Sequence, residues 1–494
     1  MQNRFILSKS AFIRGMQCHK SLYLKKHHPE LEDAVSEAQQ MIFNKGTNVG
    51  LLAQKLFPGG VDLGKYIPNN FNKAFSETER LIREEQEVIY EAGFRFDNLM
   101  CYMDILVKRD GKYYAYEVKG STSVKDVNLW DAAFQYYVIT SSGIELEDIS
   151  IVYLNNQYVR QGKLDLRQLF IIESVKDKII PRLPKVKAGL IEMQDMLSKP
   201  DIPDVDIGPH CSDPYGCSFA GHCWKKVPDY SVFNISNLNA NKKFDLYKKG
   251  ILKITDVPAD YPLSPNQRMQ IESEKTGKLQ INKTEIKKFV NSLNYPLYFL
   301  DFESFQSAIP LFDNSKPYQQ TVFQYSLHIL DKPGGNLLHK EFLAEPSGDP
   351  RIPFIEQLIK DIGTNGDIIV YNKSFEKGQL KLIAKAFPQY STQIRAINNR
   401  VVDLMTPFQK KYYYTPKMNG TYTIKNVLPA LVPQFSYDNM AINNGMAASM
   451  SYENLYYETD QTIIDKTKQD LLEYCGLDTL AMVEILKVLE TVFL

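Results

Sequence analysis

Carboxylates recur in this sequence in two arrangements that suit metal-assisted chemistry, and cysteines in a third. Asp104 lies in a strand-like run, and Glu117-Val-Lys119 closes the next one. Residues i and i+2 of a strand share a face, so Glu117 and Lys119 project together, and Asp104 reaches that face across a hairpin. Two acids and an ammonium there suit phosphodiester hydrolysis: the acids hold Mg²⁺ or Mn²⁺, and the lysine orients water or stabilises developing charge. An exposed cross-strand ion pair would give the same short pattern. The weight comes from its company, Glu91 on the preceding strand and Gln135-Tyr136 on the following helix.

Asp301-Phe-Glu303 again sets two acids on one face at the end of an apolar strand. Glu376 follows the buried-looking run IIVY and begins a helix, and Tyr474 precedes Asp478 by four residues in a helical segment, so those two share a face. Four such acids can hold two divalent ions about 4 Å apart, clamping a phosphate for in-line attack. Tyr474 would orient the attacking water. Asp403, in VVDLMTPF, is read as structural.

Cys211, Cys217 and Cys223 stand in CSDPYGCSFAGHC with five residues between neighbours, and Cys18 lies far upstream in GMQCHKSLYL. Four thiolates satisfy an iron–sulfur cluster or a structural zinc. His210 and His222 flank the loop as further zinc donors, and spacing alone leaves the metal open. Cys101 and Cys475 sit singly among apolar residues and read as core.

Elements must position these groups. Residues 1–57 read as helical, stopping at Phe57-Pro58-Gly59-Gly60, and 74–87 as another helix. Strands are expected at Val88–Phe94, Met100–Lys108 and Tyr113–Lys119, the last two joined through Asp110-Gly111, a hairpin signal. A helix over Val127–Thr140 and a strand at Ile149–Leu154 complete a first α/β pattern. Residues 199–229 have little periodicity, so something other than a hydrophobic core must order them. From 230 to 292 the pattern is that of a helical connector, with short helices near 243–249 and 284–292. A second α/β unit opens at Pro296–Asp301, continues through strands near 321–330 and 367–371, and closes with a long helix over 464–492.

Length and composition fit this plan. The 494 residues suffice for about three domains. With 44% hydrophobic and 23% charged residues, wholesale disorder is excluded. Basic and acidic residues balance at 58 each, so charge alone points to no nucleic acid, although clustered carboxylates would offset a basic groove. There is no long apolar run, and MQNRFILSKSAFIRGMQC lacks a signal-peptide core, which predicts a cytoplasmic protein without membrane contact. No phosphate-binding GxxxxGK[ST] segment is present, so ATP-driven unwinding is not expected.

The stretch YEAGFRFDNLMCYMDILVKRDGKYYAYEVKG, followed by a helix with Gln135, resembles the PD-(D/E)XK nuclease core of the RecB group. One early cysteine and three late ones enclosing that core resemble its iron–sulfur subgroup, which includes the CRISPR-associated RecB-like exonucleases and the AddB helicase-nuclease. The resemblance covers residues 1–228. It implies that Asp104 and Glu117 bind metal, Lys119 assists the nucleophile, Gln135 shapes the site, and Cys18, Cys211, Cys217 and Cys223 hold a [4Fe–4S] cluster. One departure stands out: where the family often has a histidine in an early helix, NKGTNVGLLAQ has Gly50. Metal binding would then be weaker, shifted to Glu91, or lost.

Residues 293–494 resemble the DEDD exonucleases of the RNase H-like fold, in the subgroup with Tyr before the last Asp. This implies 3′→5′ removal of nucleotides, with Asp301, Glu303, Glu376 and Asp478 as metal ligands. Glu376 departs from the family's usual Asp. The expectation is therefore an α/β protein with a nuclease domain at 1–228, a helical connector at 229–292 and an exonuclease-like domain at 293–494, processing DNA ends in repair or in defence against foreign DNA. Two rivals stand beside it: cleavage by the C-terminal site alone, with RNA as a possible substrate and the first domain gripping it, and a non-catalytic nucleic-acid-binding scaffold. Nothing in the sequence assigns protein partners.

Overall fold

The computed structural model describes residues 5–67, 70–437 and 439–492. It is a mixed α/β chain that divides into two compact units: residues 1–226 with 308–318, and residues 227–307 with 319–494. None of its described helices is long and apolar enough to cross a membrane.

In the first unit, β1 (Leu7–Ser8), β2 (Val61–Asp62), β3 (Val88–Phe96), β4 (Leu99–Arg109), β5 (Lys112–Lys119), β6 (Leu146–Leu154) and β7 (Phe170–Ser174) form one sheet. Its order is β2-β3-β4-β5-β6-β7, with β1 lying parallel beside β4. Asp110 and Gly111 both take positive φ (51° and 76°), the two-residue hairpin turn that Asp-Gly favours. The longer helices are α1 (Lys9–Gln17), α2 (His19–His27), α3 (Glu37–Gln54), α4 (Phe71–Arg83), α5 (Asp126–Ser141) and α6 (Leu183–Leu197). The helix expected at 74–87 starts earlier and ends sooner. The Asn70 side chain caps it by accepting from the Lys73 amide, and Glu85 turns left-handed at φ 60° just beyond its end.

The parity of β5 divides this unit's core. Ala115 belongs with Phe134, Val138 and Phe12 of α5 and α1, whereas Tyr116 packs with Val49 and Ala53 of α3. Glu117 and Lys119 share the parity of Ala115, and so face α1 and α5.

In the second unit, residues 229–292 have a small core of their own around Val232, Leu246, Ile254 and Ile271. This segment, expected as a connector, is joined to the rest of the unit. The Tyr230 hydroxyl donates to Glu274 (2.7 Å) and meets the Tyr414 hydroxyl (3.2 Å), and β8 (Gln280–Ile281) pairs with a strand at Tyr413–Tyr414. Its helices are α7 (Ala240–Lys248), α8 (Pro265–Thr276) and α9 (Lys283–Asn291).

A five-stranded sheet follows: β9 (Leu297–Gln306), β10 (Gln320–Leu330), β11 (Leu337–Leu343), β12 (Asp367–Val370) and β13 (Val401–Asp403), in the order β11-β10-β9-β12-β13. The first three run antiparallel, while β12 and β13 add parallel to β9. A side chain at Gly366 (φ 79°) would strike the Pro296 carbonyl, so glycine there lets β12 start beside β9.

α10 (Arg351–Asp361) and α11 (Lys373–Ala386) cover one face over Leu300, Phe302, Tyr325 and Ile368. α12 (Ser391–Asn399), α13 (Ile424–Leu431), α14 (Gly445–Leu455) and α15 (Gln461–Thr491) complete the unit. α15 packs on β9 and β10, burying Leu471, Tyr474, Cys475, Asp478, Met482 and Leu486 along one stripe at helical spacing.

Candidate metal centres

In β9 the odd residues Asp301 and Glu303 face α15, while Leu300 and Phe302 enter the core beneath α10. α15 presents Asp478 to the same spot. Ligand oxygens of Asp301, Glu303 and Asp478 lie within 4.8 Å of one another. Burial, then Asp478, pushes the Asp301 carboxyl well above the ordinary range. Burial followed by Asp301 and Asp478 does the same to Glu303, and burial lifts Asp478 to about 6. Like charges crowded at this distance must keep protons or take cations.

Glu376, in the first turn of α11, is 1% exposed, and its Oε2 has no hydrogen-bond partner. Its carboxyl too is raised, by burial and then by Asp301. A buried, unpartnered carboxylate oxygen beside three gathered acids fits a divalent cation. Asp403 has another task. Its oxygens accept from the amides of Asn372, Lys373 and Met405, each at 3.1 Å, and so fix the left-handed turn (Asn372 φ 84°) from which α11 starts.

Tyr474 hydrogen-bonds Asp478 as well, and two residues absent from the sequence reading stand with them. The Tyr437 hydroxyl donates to Asp478 Oδ1 at 2.7 Å. Lys425 of α13 lies 5.1 and 4.9 Å from the ring centroids of Tyr437 and Tyr474, and its ammonium donates to the Asn443 carbonyl. Burial lowers its pKa against the pull of Asp478, Glu303 and Asp301. Behind Asp478, Thr479 meets Ser326 (2.6 Å) and His328 Nδ1 (2.8 Å), pinning this turn of α15 to β10.

In the first unit, the β4–β5 ladder ends at Ile105–Tyr116, and the next residues inward are Asp104 and Glu117. Asp104 Oδ2 instead takes the Val118 amide at 2.6 Å. On the other side of β4, Glu91 has a left-handed backbone (φ 55°) between the Tyr90–Ile105 and Ala92–Met103 pairs, a strained conformation inside a strand. Burial and then Asp104 raise Glu91 to about 8, and burial and then Glu117 raise Asp104 to about 7.

Glu117 goes the other way. Burial opposes its charge, yet Lys119 and Lys9 overcome that and hold it near about 2. Its Oε1 accepts from Lys9 (2.5 Å) and Lys119 (2.8 Å), and its Oε2 from Gln135 Nε2 (2.6 Å). Lys119 also pairs with Asp131 at 2.6 Å. Lys9 and Asp131 were not singled out from the sequence. Gly50 lies on α3, whose Val49 and Ala53 pack on the Tyr116 side, and it brings no side chain to the cluster.

Cys18, Cys211, Cys217 and Cys223 line one cavity with His210, Phe219 and Trp224. Cys101 and Cys475 are buried elsewhere, but Cys475, expected among apolar residues, has its Sγ 3.8 Å from both the carbonyl and Oδ2 of Asp301. The loop is tied to the N-terminal helices: Gln17 donates to the carbonyls of His210 and Tyr215 (both 2.7 Å), and Arg14 to Ser218 (2.9 Å). Burial raises the Cys18 thiol, with the amides of Ser21 and Lys20 opposing, and burial raises Cys223. Gly208 N–H points at Cys211 Sγ (3.5 Å), and Ser21 Oγ lies 3.5 Å from Cys217 Sγ. Four cysteines thus line one cavity, with an N–H group beside Cys211 and a hydroxyl beside Cys217.

Part of this arrangement is similar to known sequences. Residues 298–423, which hold Asp301, Glu303, Glu376 and Asp403, match a family described as a domain of unknown function (DUF2779). The chain is 28% identical over 232 residues to the uncharacterized protein UU173 of Ureaplasma parvum, covering 43% of this chain and 33% of that protein. It is 26% identical over 216 residues to the uncharacterized protein MG366 of Mycoplasma genitalium, covering 40% of this chain and 32% of the relative. The matches thus span about a third of the length of these curated relatives.

Proposed function

We propose that this chain is a metal-dependent nuclease whose second unit removes nucleotides from 3′ ends in the manner of the DEDD exonucleases. The observation that carries this reading is the meeting of Asp301, Glu303 and Asp478 within 4.8 Å beside the unpartnered Glu376 Oε2. The sheet supports it: Glu376 and Asp403 stand at or just beyond the carboxyl ends of parallel strands, where ligand sites of open α/β sheets gather, and the β11-β10-β9-β12-β13 order suits an RNase H-like fold. Mg²⁺ or Mn²⁺ held by Asp301, Glu303, Glu376 and Asp478 would activate water and stabilise charge on the phosphate. Tyr474 orients the water, while Lys425 supplies a positive charge at the rim. The new bond is water oxygen to phosphorus; the P–O3′ bond breaks and a nucleoside 5′-monophosphate leaves.

The first unit, in this reading, is a PD-(D/E)XK-type site of the RecB group. Asp104, Glu117 and Glu91 would bind metal, Lys119 would stabilise charge, and Gln135 fixes Glu117. The four cysteines would hold a [4Fe–4S] cluster, with zinc as the alternative. The substrate is DNA, with RNA as competitor, and the setting is end processing in repair or defence. The engagement of both Glu117 oxygens favours a second reading, in which the second site alone cuts and the first unit grips substrate.

The test is cleavage of 5′- and 3′-labelled DNA and RNA by anaerobically purified protein with Mg²⁺ or Mn²⁺, beside Asp104→Ala and Asp301→Ala. Loss of stepwise 3′ shortening in Asp301→Ala alone supports the exonuclease. Loss of a different product in Asp104→Ala supports a second nuclease. Cleavage untouched by Asp301→Ala rejects the principal reading.

A further inference from the structure

The first carboxylate site already contains cations of its own. Glu117, Asp104, Glu91 and Asp131 face Lys119 and Lys9, and the two lysines are not equivalent. Lys119 is tied to both Glu117 (2.8 Å) and Asp131 (2.6 Å). Lys9 contacts Glu117 Oε1 at 2.5 Å and makes no second ion pair among the described residues, and its side chain is 26% exposed against 18% for Lys119.

Lys9 is also the first residue of α1, whose N-cap is Ser8. A cation at a helix N-terminus is disfavoured by the helix dipole, so attraction to the acids must outweigh that cost to hold it there. Glu117 Oε1 accepts two ammonium groups and Oε2 accepts Gln135 Nε2, leaving at most about one of the roughly four lone-pair positions of a carboxylate.

We propose that Lys9 is a resident cation of this site that competes with a divalent metal for Glu117. A metal approaching Glu117 meets Lys119 locked to Asp131 and Lys9 able to withdraw towards solvent, so Lys9 is the group that yields. Once displaced, its ammonium lies at the rim, where a phosphodiester would approach. The site therefore exchanges one protein cation for one divalent cation, and its metal affinity is set lower than its four acids alone would give. This rests on the reading of the first cluster as a metal site, but not on the activity of the second.

The experiment is a Mn²⁺ titration of the full chain followed by electron paramagnetic resonance. It uses an Asp301→Asn background to weaken the second site. Lys9→Met, Lys9→Gln and Lys9→Arg are compared, with thermal melting to confirm folding. Lys9→Met and Lys9→Gln should bind Mn²⁺ about tenfold more tightly, and Lys9→Arg should not. Unchanged or weaker binding in both neutral variants overturns the proposal. Adding Glu117→Gln separates the two failures. If it abolishes the Mn²⁺ signal, the metal sits at this cluster and Lys9 alone is judged. If Glu117→Gln leaves binding intact, the metal-site reading falls and the proposal with it.

Discussion

Tyr437 and Asp478, 41 residues apart, are joined by a hydrogen bond of 2.7 Å from the tyrosine hydroxyl to Oδ1. Tyr474, one helical turn before Asp478, bonds the same carboxyl, so two phenols hold one acid. That arrangement leaves Asp478 less raised than burial alone would make it and fixes its direction towards Asp301 and Glu303.

Tyr437→Phe removes one of those bonds while keeping the ring against Lys425. Turnover of a 3′-labelled substrate should fall about tenfold, as the loss of a hydrogen bond to a charged group allows, with little change in KM. Unaltered kcat would show that Tyr437 does not position the acid.

Glu376→Gln should separate stability from activity. The native carboxylate is buried with one oxygen unpartnered, so the neutral amide should leave the metal-free protein as stable or raise its melting temperature. Exonuclease turnover should drop by about a hundredfold. A destabilised variant would mean that the carboxylate has a structural partner instead.

Metal-free protein should lose stability as pH rises. Asp478, Asp104 and Glu91 are raised to about 6, about 7 and about 8, so the folded state binds more protons than the unfolded chain above the ordinary carboxylate range. The stabilising effect is full below the unfolded pKa values and is lost as pH climbs through the folded ones. Glu117, held near about 2, works oppositely only at acid pH. Melting temperature in EDTA should therefore decline between about pH 5 and 8, with Mn²⁺ restoring it most at the upper end. A flat profile across that window contradicts the assignment.

If the four cysteines hold the proposed iron–sulfur cluster, Cys217→Ser should diminish bound iron and acid-labile sulfide, remove brown colour and lower the melting temperature of the first unit. Stoichiometric zinc without iron in wild type would select the zinc alternative.

Local pattern carried the first step of the reading. Asp110-Gly111 marks its hairpin because both residues must take positive φ, and the i, i+2 spacing puts Asp301 with Glu303 and Glu117 with Lys119. Lys9, Asp131, Lys425 and Tyr437 were not legible, because each reaches its partner from another part of the chain and no fixed spacing announces it. Lys9 lies 108 residues from Glu117. Glu91 was visible as an acid on a strand, but its left-handed backbone depends on the pairing around it. The join between residues 229–292 and the rest of the second unit rests on contacts such as Tyr230–Tyr414, 184 residues apart, which no local window contains.

Helix α1 begins at Lys9 and ends at Gln17, with Cys18 as its C-cap. Nine residues at 1.5 Å each make a rod of about 13 Å, too short to bend appreciably. One end sits at the sulfur-lined cavity and the other places an ammonium on Glu117. A single rigid element therefore spans the distance from the sulfur-lined cavity to the acids, and the chain leaves Lys9 and reaches Cys18 within one helix.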